Sequence, residues 1–240
     1  MKVPGLKFKI PSRRHWLLLA VALFTAVCVQ GQGAFQNLNF EAANVSGYPV
    51  GANDVPITAA LPGWSAFYTS AGFGTTQVNQ VWYDAISGGG QIISVNDINT
   101  GGGFTPLAGN YSAALFGGIN NTDSTISQSG LVPGYAKSLR LDAAYSLLPF
   151  TVALNGQNLS VVPLANAGAY TIYGVDVSGY AGQSVTLSIR EPGPAVGPNA
   201  SSLFLDNILF SNQSIPEPAT WALLVCGAGL LGLARRQRKA

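Results

Sequence analysis

Between residues 35 and 210 the chain alternates short apolar stretches with clusters of Gly, Asn, Ser and Pro. The stretches are FQNLNFE (35–41), WSAFY (64–68), QVWYDAI (80–86), QIISV (91–95), YSAALFG (111–117) and STISQS (124–129). They continue with KSLRLDA (137–143), FTVALN (150–155), LSVVPL (159–164), AYTIYGVDV (169–177), SVTLSIR (184–190) and SLFLDNILF (202–210). In residues 184–190, Val185, Leu187 and Ile189 fall on one side, and Ser184, Thr186, Ser188 and Arg190 on the other. A period of two over five to seven residues is the mark of a half-buried strand. Asn155-Gly156, between two such stretches, predicts a tight hairpin. Residues 71–76, 99–106 and 191–201 read as loops, and no helical period runs through this region. About a dozen short strands without helices predict an all-β fold. Two packed antiparallel sheets, a jelly-roll-like β-sandwich over residues 34–211, are the expected architecture.

Both ends break this pattern. Residues 16–29 (WLLLAVALFTAVCV) are continuously apolar and follow five basic residues, Lys2, Lys7, Lys9, Arg13 and Arg14. A run of this length suits a secretory signal peptide and makes only about 21 Å of helix, short of a bilayer core of about 30 Å. Residues 1–33 are therefore expected to be a signal helix, cut near Gly31, Gln32, Gly33 and Ala34. At the other end, residues 212–218 read as a linker containing Pro216-Glu217-Pro218. An uncharged run at 219–234 (ATWALLVCGAGLLGLA) and a basic tail at 235–240 with Arg235 and Arg236 follow. The run is expected to be a single transmembrane helix with Trp221 at its interface and the basic tail in the cytoplasm. The two prolines keep the tripeptide extended.

The charge distribution changes the meaning of the composition. The chain carries a formal net charge of +2, yet only Lys137, Arg140 and Arg190 are basic between the two ends. Nine acids lie there: Glu41, Asp54, Asp84, Asp97, Asp123, Asp142, Asp176, Glu191 and Asp206. The middle is thus acidic, at −6, and has no basic footprint for nucleic acid. The single histidine, His15, and both cysteines, Cys28 and Cys226, lie in the end segments. The middle cannot build a Ser-His-Asp or Cys-His triad, a zinc site of N and S ligands, or a disulfide.

Pro216-Glu217-Pro218, the short apolar helix with Gly227-x-Gly229-x-x-Gly232 and the Arg-rich end resemble the PEP-CTERM sorting signal. The resemblance covers residues 215–240. It implies a Gram-negative-type bacterium, often one that makes exopolysaccharide. It also implies recognition by exosortase, a membrane transpeptidase-like enzyme that cuts near the motif. The chain would pass through the general secretion machinery and signal peptidase and anchor briefly in the inner membrane. It would then reach the cell surface or the extracellular matrix. A plain single-span anchor is the alternative.

From Leu131 to Ser211 the succession LVPGYAKSLRLDA, FTVALNGQNLSVV, YTIYGVDVSGYAGQSVTLSIR and SLFLDNILFS resembles galactose-binding-like jelly rolls of carbohydrate-binding modules. That resemblance sets the first strand beside the last and so brings Glu41 next to Asp206. It implies a structural Ca²⁺ held there by oxygen ligands. The alternative leaves Glu41 solvated and Asp206 capping a turn.

Trp64, Tyr68, Trp82 and Tyr83 are candidate platforms for a sugar ring, since apolar sugar faces stack on aromatic rings. Core packing is the competing role. Neighbours on a strand point to opposite faces, so Trp82 and Tyr83 cannot share one side. Asp84, Asp97, Asp123 and Asp176 sit in turn-like settings rather than as a glycosidase pair. The expectation is a non-catalytic exported protein, with extracellular polysaccharide as its candidate partner. The alternative is a secreted polysaccharide-active hydrolase or lyase.

Overall fold

Burial follows the sequence alternation most closely in residues 184–191, where Val185, Leu187, Ile189 and Glu191 are buried and the residues between them are not. The same logic, repeated across the chain, assembles two sheets in a computed structural model that describes residues 33–86, 89–100, 105–197 and 199–215. Apart from Gly33, these residues belong to one unit that starts at Ala34. The elements in order are β1 (Val55–Pro56), a single helical turn α1 (Ile57–Ala60), β2 (Ser65–Ser70), β3 (Gly74–Val78) and β4 (Gln80–Tyr83). They continue as β5 (Ile92–Asp97), β6 (Tyr111–Gly117), β7 (Asp123–Leu131), β8 (Ser138–Ser146) and β9 (Thr151–Leu154). The last are β10 (Gln157–Leu159), β11 (Val161–Asn166), β12 (Thr171–Asp176), β13 (Ser184–Glu191) and β14 (Ser201–Ser211).

An eight-stranded sheet has the order β1-β4-β5-β6-β14-β8-β12-β11, and a six-stranded sheet the order β10-β9-β13-β7-β2-β3. Their facing sides share one core. Ile93, Leu115, Leu203 and Leu205 come from the large sheet, and Ile126, Leu154, Leu187 and Ile189 from the small one. The protein is an all-β molecule of two packed sheets, as the alternation predicts. The large sheet is also covered on its other face. Ile92, Ala114, Phe116, Ala200 and Phe204 form a second cluster there, with Trp82 and Leu107 packed against it. Double coverage buries every residue of β5, which explains why QIISVND does not alternate in polarity.

The Asn155-Gly156 hairpin forms as predicted. Leu154 pairs with Gln157, and Asn155 and Gly156 both take positive φ, 50° and 79°. That combination is the primed turn whose twist matches the strands.

Four details differ from the expectation. Residues 35–41 are not a strand but a succession of turns. Asn37 and Phe40 adopt φ of 48° and 59°. The Asn37 side chain accepts from the Ala42 amide at 2.9 Å and donates to the Pro62 carbonyl at 3.2 Å. This local bonding competes with a ladder. Residues 74–76, read as part of a loop, belong to β3, because the turn after Ser70 folds the chain straight back onto β2. β4 and β5 run parallel, not antiparallel. Residues 57–60 form a helical turn where none was predicted. The expected signal helix, the transmembrane helix at 219–234 and the basic tail lie outside the described residues. Among the described residues no helix is long and apolar enough to cross a membrane.

Candidate functional site

β3 ends at Val78 and β4 begins at Gln80, so a single residue, Asn79, carries the chain from the small sheet to the large one. Such a short crossover draws the edge of one sheet against the edge of the other. A cavity of about 600 Å³ opens there, lined by Asn53, Tyr68, Val78, Asn79, Gln80 and Trp82. Tyr68 comes from β2 in the small sheet and Trp82 from β4 in the large one.

Each wall is fixed by a bond elsewhere. The Tyr68 hydroxyl accepts from the Ile93 amide at 3.1 Å, tying β2 to β5 across the sandwich. Burial raises the Tyr68 pKa, partly offset by that bond, so the ring stays neutral. The Asn79 carbonyl accepts from the Ile57 amide at 2.9 Å. Gln80 Nε2 donates to the Asp54 carbonyl at 3.3 Å. Trp82 leans on the second cluster with one part of its surface and lines the cavity with another. The lining therefore offers two aromatic rings, three side-chain amides, one aliphatic side chain and no charge. Such a lining suits a neutral ligand with both apolar faces and hydroxyl groups.

The other two aromatic candidates are core side chains. Trp64 is buried, stacks on Phe40 with centroids 5.7 Å apart and donates its indole N–H to the Asn37 carbonyl at 3.2 Å. Tyr83 is buried and donates its hydroxyl to Asp97 Oδ2 at 2.9 Å. Neither presents a ring to solvent, because both stand on inward positions of their segments. The lining residues that sequence reasoning missed are Asn53, Val78, Asn79 and Gln80. Asn79 and Gln80 directly precede the Val81-Trp82-Tyr83 strand, and amides beside an aromatic strand were the available signal.

Glu41 and Asp206 do come near one another, by a different route from the one expected. Glu41 lies in a turn, not on a strand beside β14. Its carboxylate accepts from the amides of Asn110 at 2.8 Å and Tyr111 at 3.0 Å, and from Asn110 Nδ2 at 3.0 Å. Asp206 accepts from the amides of Ala108 at 2.9 Å and Asn207 at 2.8 Å. Both acids thus hold the same loop. Gly109, at φ 60°, sits so close to the Glu41 carboxylate that a Cβ there would collide with it. Burial pushes the Asp206 carboxyl up to about 7. The two amide bonds oppose this rise, while Glu41 and Asp142 add to it. Among the described residues, no group of three or more His, Cys, Asp or Glu is arranged to hold a metal ion. The pair still supplies only hard oxygen donors, each carboxylate keeping spare lone pairs, which is the donor type calcium takes.

Pro216, Glu217, Pro218, Arg235 and Arg236 lie outside the described residues, and their assignment rests on comparison. Residues 214–239 match the family model of the PEP-CTERM protein-sorting motif. No curated protein matches the chain. Among solved structures, the Se-Met labelled β-glucosidase from Kluyveromyces marxianus aligns at 12% identity with a TM-score of 0.31. That alignment covers 75% of this chain and 21% of the other, so this chain spans about a fifth of that protein. Residues 214–239 thus carry a protein-sorting motif, the mark of an exported protein, behind an all-β unit of two sheets.

Proposed function

We propose that the β-sandwich is a non-catalytic module, delivered to the cell surface or extracellular matrix, that binds a neutral polysaccharide in the cavity between Tyr68 and Trp82. The observation that carries this reading is the lining: two aromatic rings and three amides without a charged side chain. The acidic balance of the middle of the chain supports it, since a net −6 disfavours anionic glycans. Carboxylate pairs are what a glycoside hydrolase would need, and neither wall of the cavity carries one. A galactose-binding-like jelly roll remains the proposed fold family, on the order of strands from Leu131 to Ser211.

The test is a glycan array on the exported protein, run beside an assay for reducing-sugar release. Binding to neutral glycans that Trp82→Ala weakens about tenfold or more, equal to about 1.4 kcal/mol, is the expected result. Sugar release by the purified protein would favour the hydrolase or lyase reading. Binding that survives both Trp82→Ala and Tyr68→Ala would move the site elsewhere.

A structural Ca²⁺ at Glu41 and Asp206 is proposed as a separate feature of the domain. Its role would be to neutralise two acids that, with Asp142 nearby, bond to amides and, among the described residues, to no basic side chain. Melting with excess Ca²⁺ is expected to rise in the native chain and not in Asp206→Asn. An unchanged melting temperature in the native chain ends the proposal.

A further inference from the structure

The chain leaving β14 is bonded to the sheet it has just completed. The Ser211 carbonyl accepts from the Lys137 amide at 2.8 Å. Ser138 Oγ donates to the Gln213 carbonyl at 2.7 Å, and Arg140 Nη2 donates to Gln213 Oε1 at 2.8 Å. The Gln213 amide donates back to Ser211 Oγ at 3.1 Å. Ile215 then lies directly on Gly174, where a Cβ would collide with it, and next to Leu164. Leu139, Leu141 and Val175 point into the core, so Arg140 and Gly174, register partners on β8 and β12, face outward. Residues 211–215 therefore cross the outer face of β8, β12 and β11 as a strap. Pro216 is the next residue.

We propose that this strap sets the limit of processing: the sorting enzyme cuts C-terminal to Ile215, and the whole strap stays on the exported domain. The inference rests on the reading that the chain is cut near Pro216-Glu217-Pro218. An enzyme that seats its substrate as an extended strand needs that strand's backbone and side chains unengaged. Residues 211–215 are engaged at Ser211, Gln213 and Ile215, and peeling them away loses those bonds and exposes Ile215. Pro216 and Pro218 have no amide hydrogen to give to a sheet, so the segment past Ile215 cannot extend the ladder as a donor there. The step itself breaks one peptide bond. The acyl side passes to water or to an amine, and the departing amine leaves with the apolar tail and takes up a proton.

Two measurements test this. In cells that contain exosortase, intact-mass analysis of the exported chain is expected to give a C-terminus beyond Ile215. A terminus at or before Ile215 overturns the proposal. A chain exported without any cut speaks against the sorting reading instead, and the second measurement then decides the strap alone. In that measurement the native full chain is digested briefly with a broad-specificity protease and the cuts are mapped. The expected result is protection of residues 211–215, with cutting there at least about fivefold faster in Arg140→Ala and in Gly174→Val. Arg140→Ala removes the bond to Gln213 and a half-buried side chain on the outer face but no core residue, so it reports on the strap even if the Gly174 variant folds poorly. Equal cutting of the native chain and Arg140→Ala within 211–215 overturns the proposal.

Discussion

Two buried carboxyls set the acid–base behaviour of single residues in this protein. Glu191 is fully buried, and burial pushes its carboxyl up to about 8, with a Ser201 hydrogen bond opposing and the Asp123 charge adding. Asp206 is pushed up to about 7 with Glu41 and Asp142 around it. A raised folded-state pKa means that the native state holds a proton the unfolded chain has released. That stabilisation is complete below the ordinary carboxylate range and is lost as pH rises through about 7 and about 8. The domain is therefore expected to melt roughly 5 °C or more higher at about pH 5 than at about pH 9. Glu191→Gln should flatten the part of that slope between the ordinary carboxylate range and about pH 8, read by calorimetry across the range. Gly109 is the other decisive single residue. Gly109→Ala puts a methyl group into the Glu41 carboxylate at a positive φ, and a loss of about 1–3 kcal/mol in denaturant unfolding is expected. Neither feature was legible in the sequence. Glu191 reads as the first residue of a loop, and only the return of β14, which brings Ser201 against it, makes its burial visible.

At the scale of elements, the strands with one wet face were readable and the others were less so. β13 alternates because the core lies on one side of it alone, so Leu187 and Ile189 could be assigned inward from sequence. Leu187→Ala is expected to cost about 2–5 kcal/mol, as for other core truncations. The β9–β10 hairpin was also readable, because Asn155-Gly156 meets a demand of backbone geometry rather than of context. Replacing Gly156 by Val should cost about 1 kcal/mol or more through its φ of 79°, measurable as a shift in the denaturation midpoint. Residues 35–41 misled for the opposite reason. Phe35, Leu38 and Phe40 alternate imperfectly with polar residues, which suits a strand. The hydrogen bonds of Asn37 and the stacking of Phe40 on Trp64 favour a turn that plugs the sandwich. The strap at 211–215 looked like a free linker because its anchors, Ser138, Arg140 and Gly174, lie far away in the chain.

For the molecule as a whole, the sorting motif at residues 214–239 bears on the route it takes. Altering Pro216-Glu217-Pro218 to Ala-Ala-Ala is expected to leave the chain uncut and membrane-associated in cells with exosortase, seen as retention of the full-length band in the membrane fraction. That outcome follows from the tail alone and leaves the domain's melting temperature unchanged. Sorting was legible without a structure because an enzyme reads that signal as a contiguous peptide, and contiguous information is what a sequence holds. The all-β class was legible for a similar reason, since a period of two is a local property. The cavity was not. Tyr68 and Trp82 stand out as aromatic residues, but so do Trp64 and Tyr83, and nothing local separates the pair that lines a surface from the pair that fills the core. That separation depends on which sheet edge meets which, set by the one-residue crossing at Asn79 and the long-range pairing of β4 with β5 and β2 with β7. The sequence by itself determined the sorting motif and the strand content, because both are written in neighbouring residues. Tertiary structure alone decided the cavity, the raised carboxyl pKa values and the strap, because each arises from groups made adjacent only by folding.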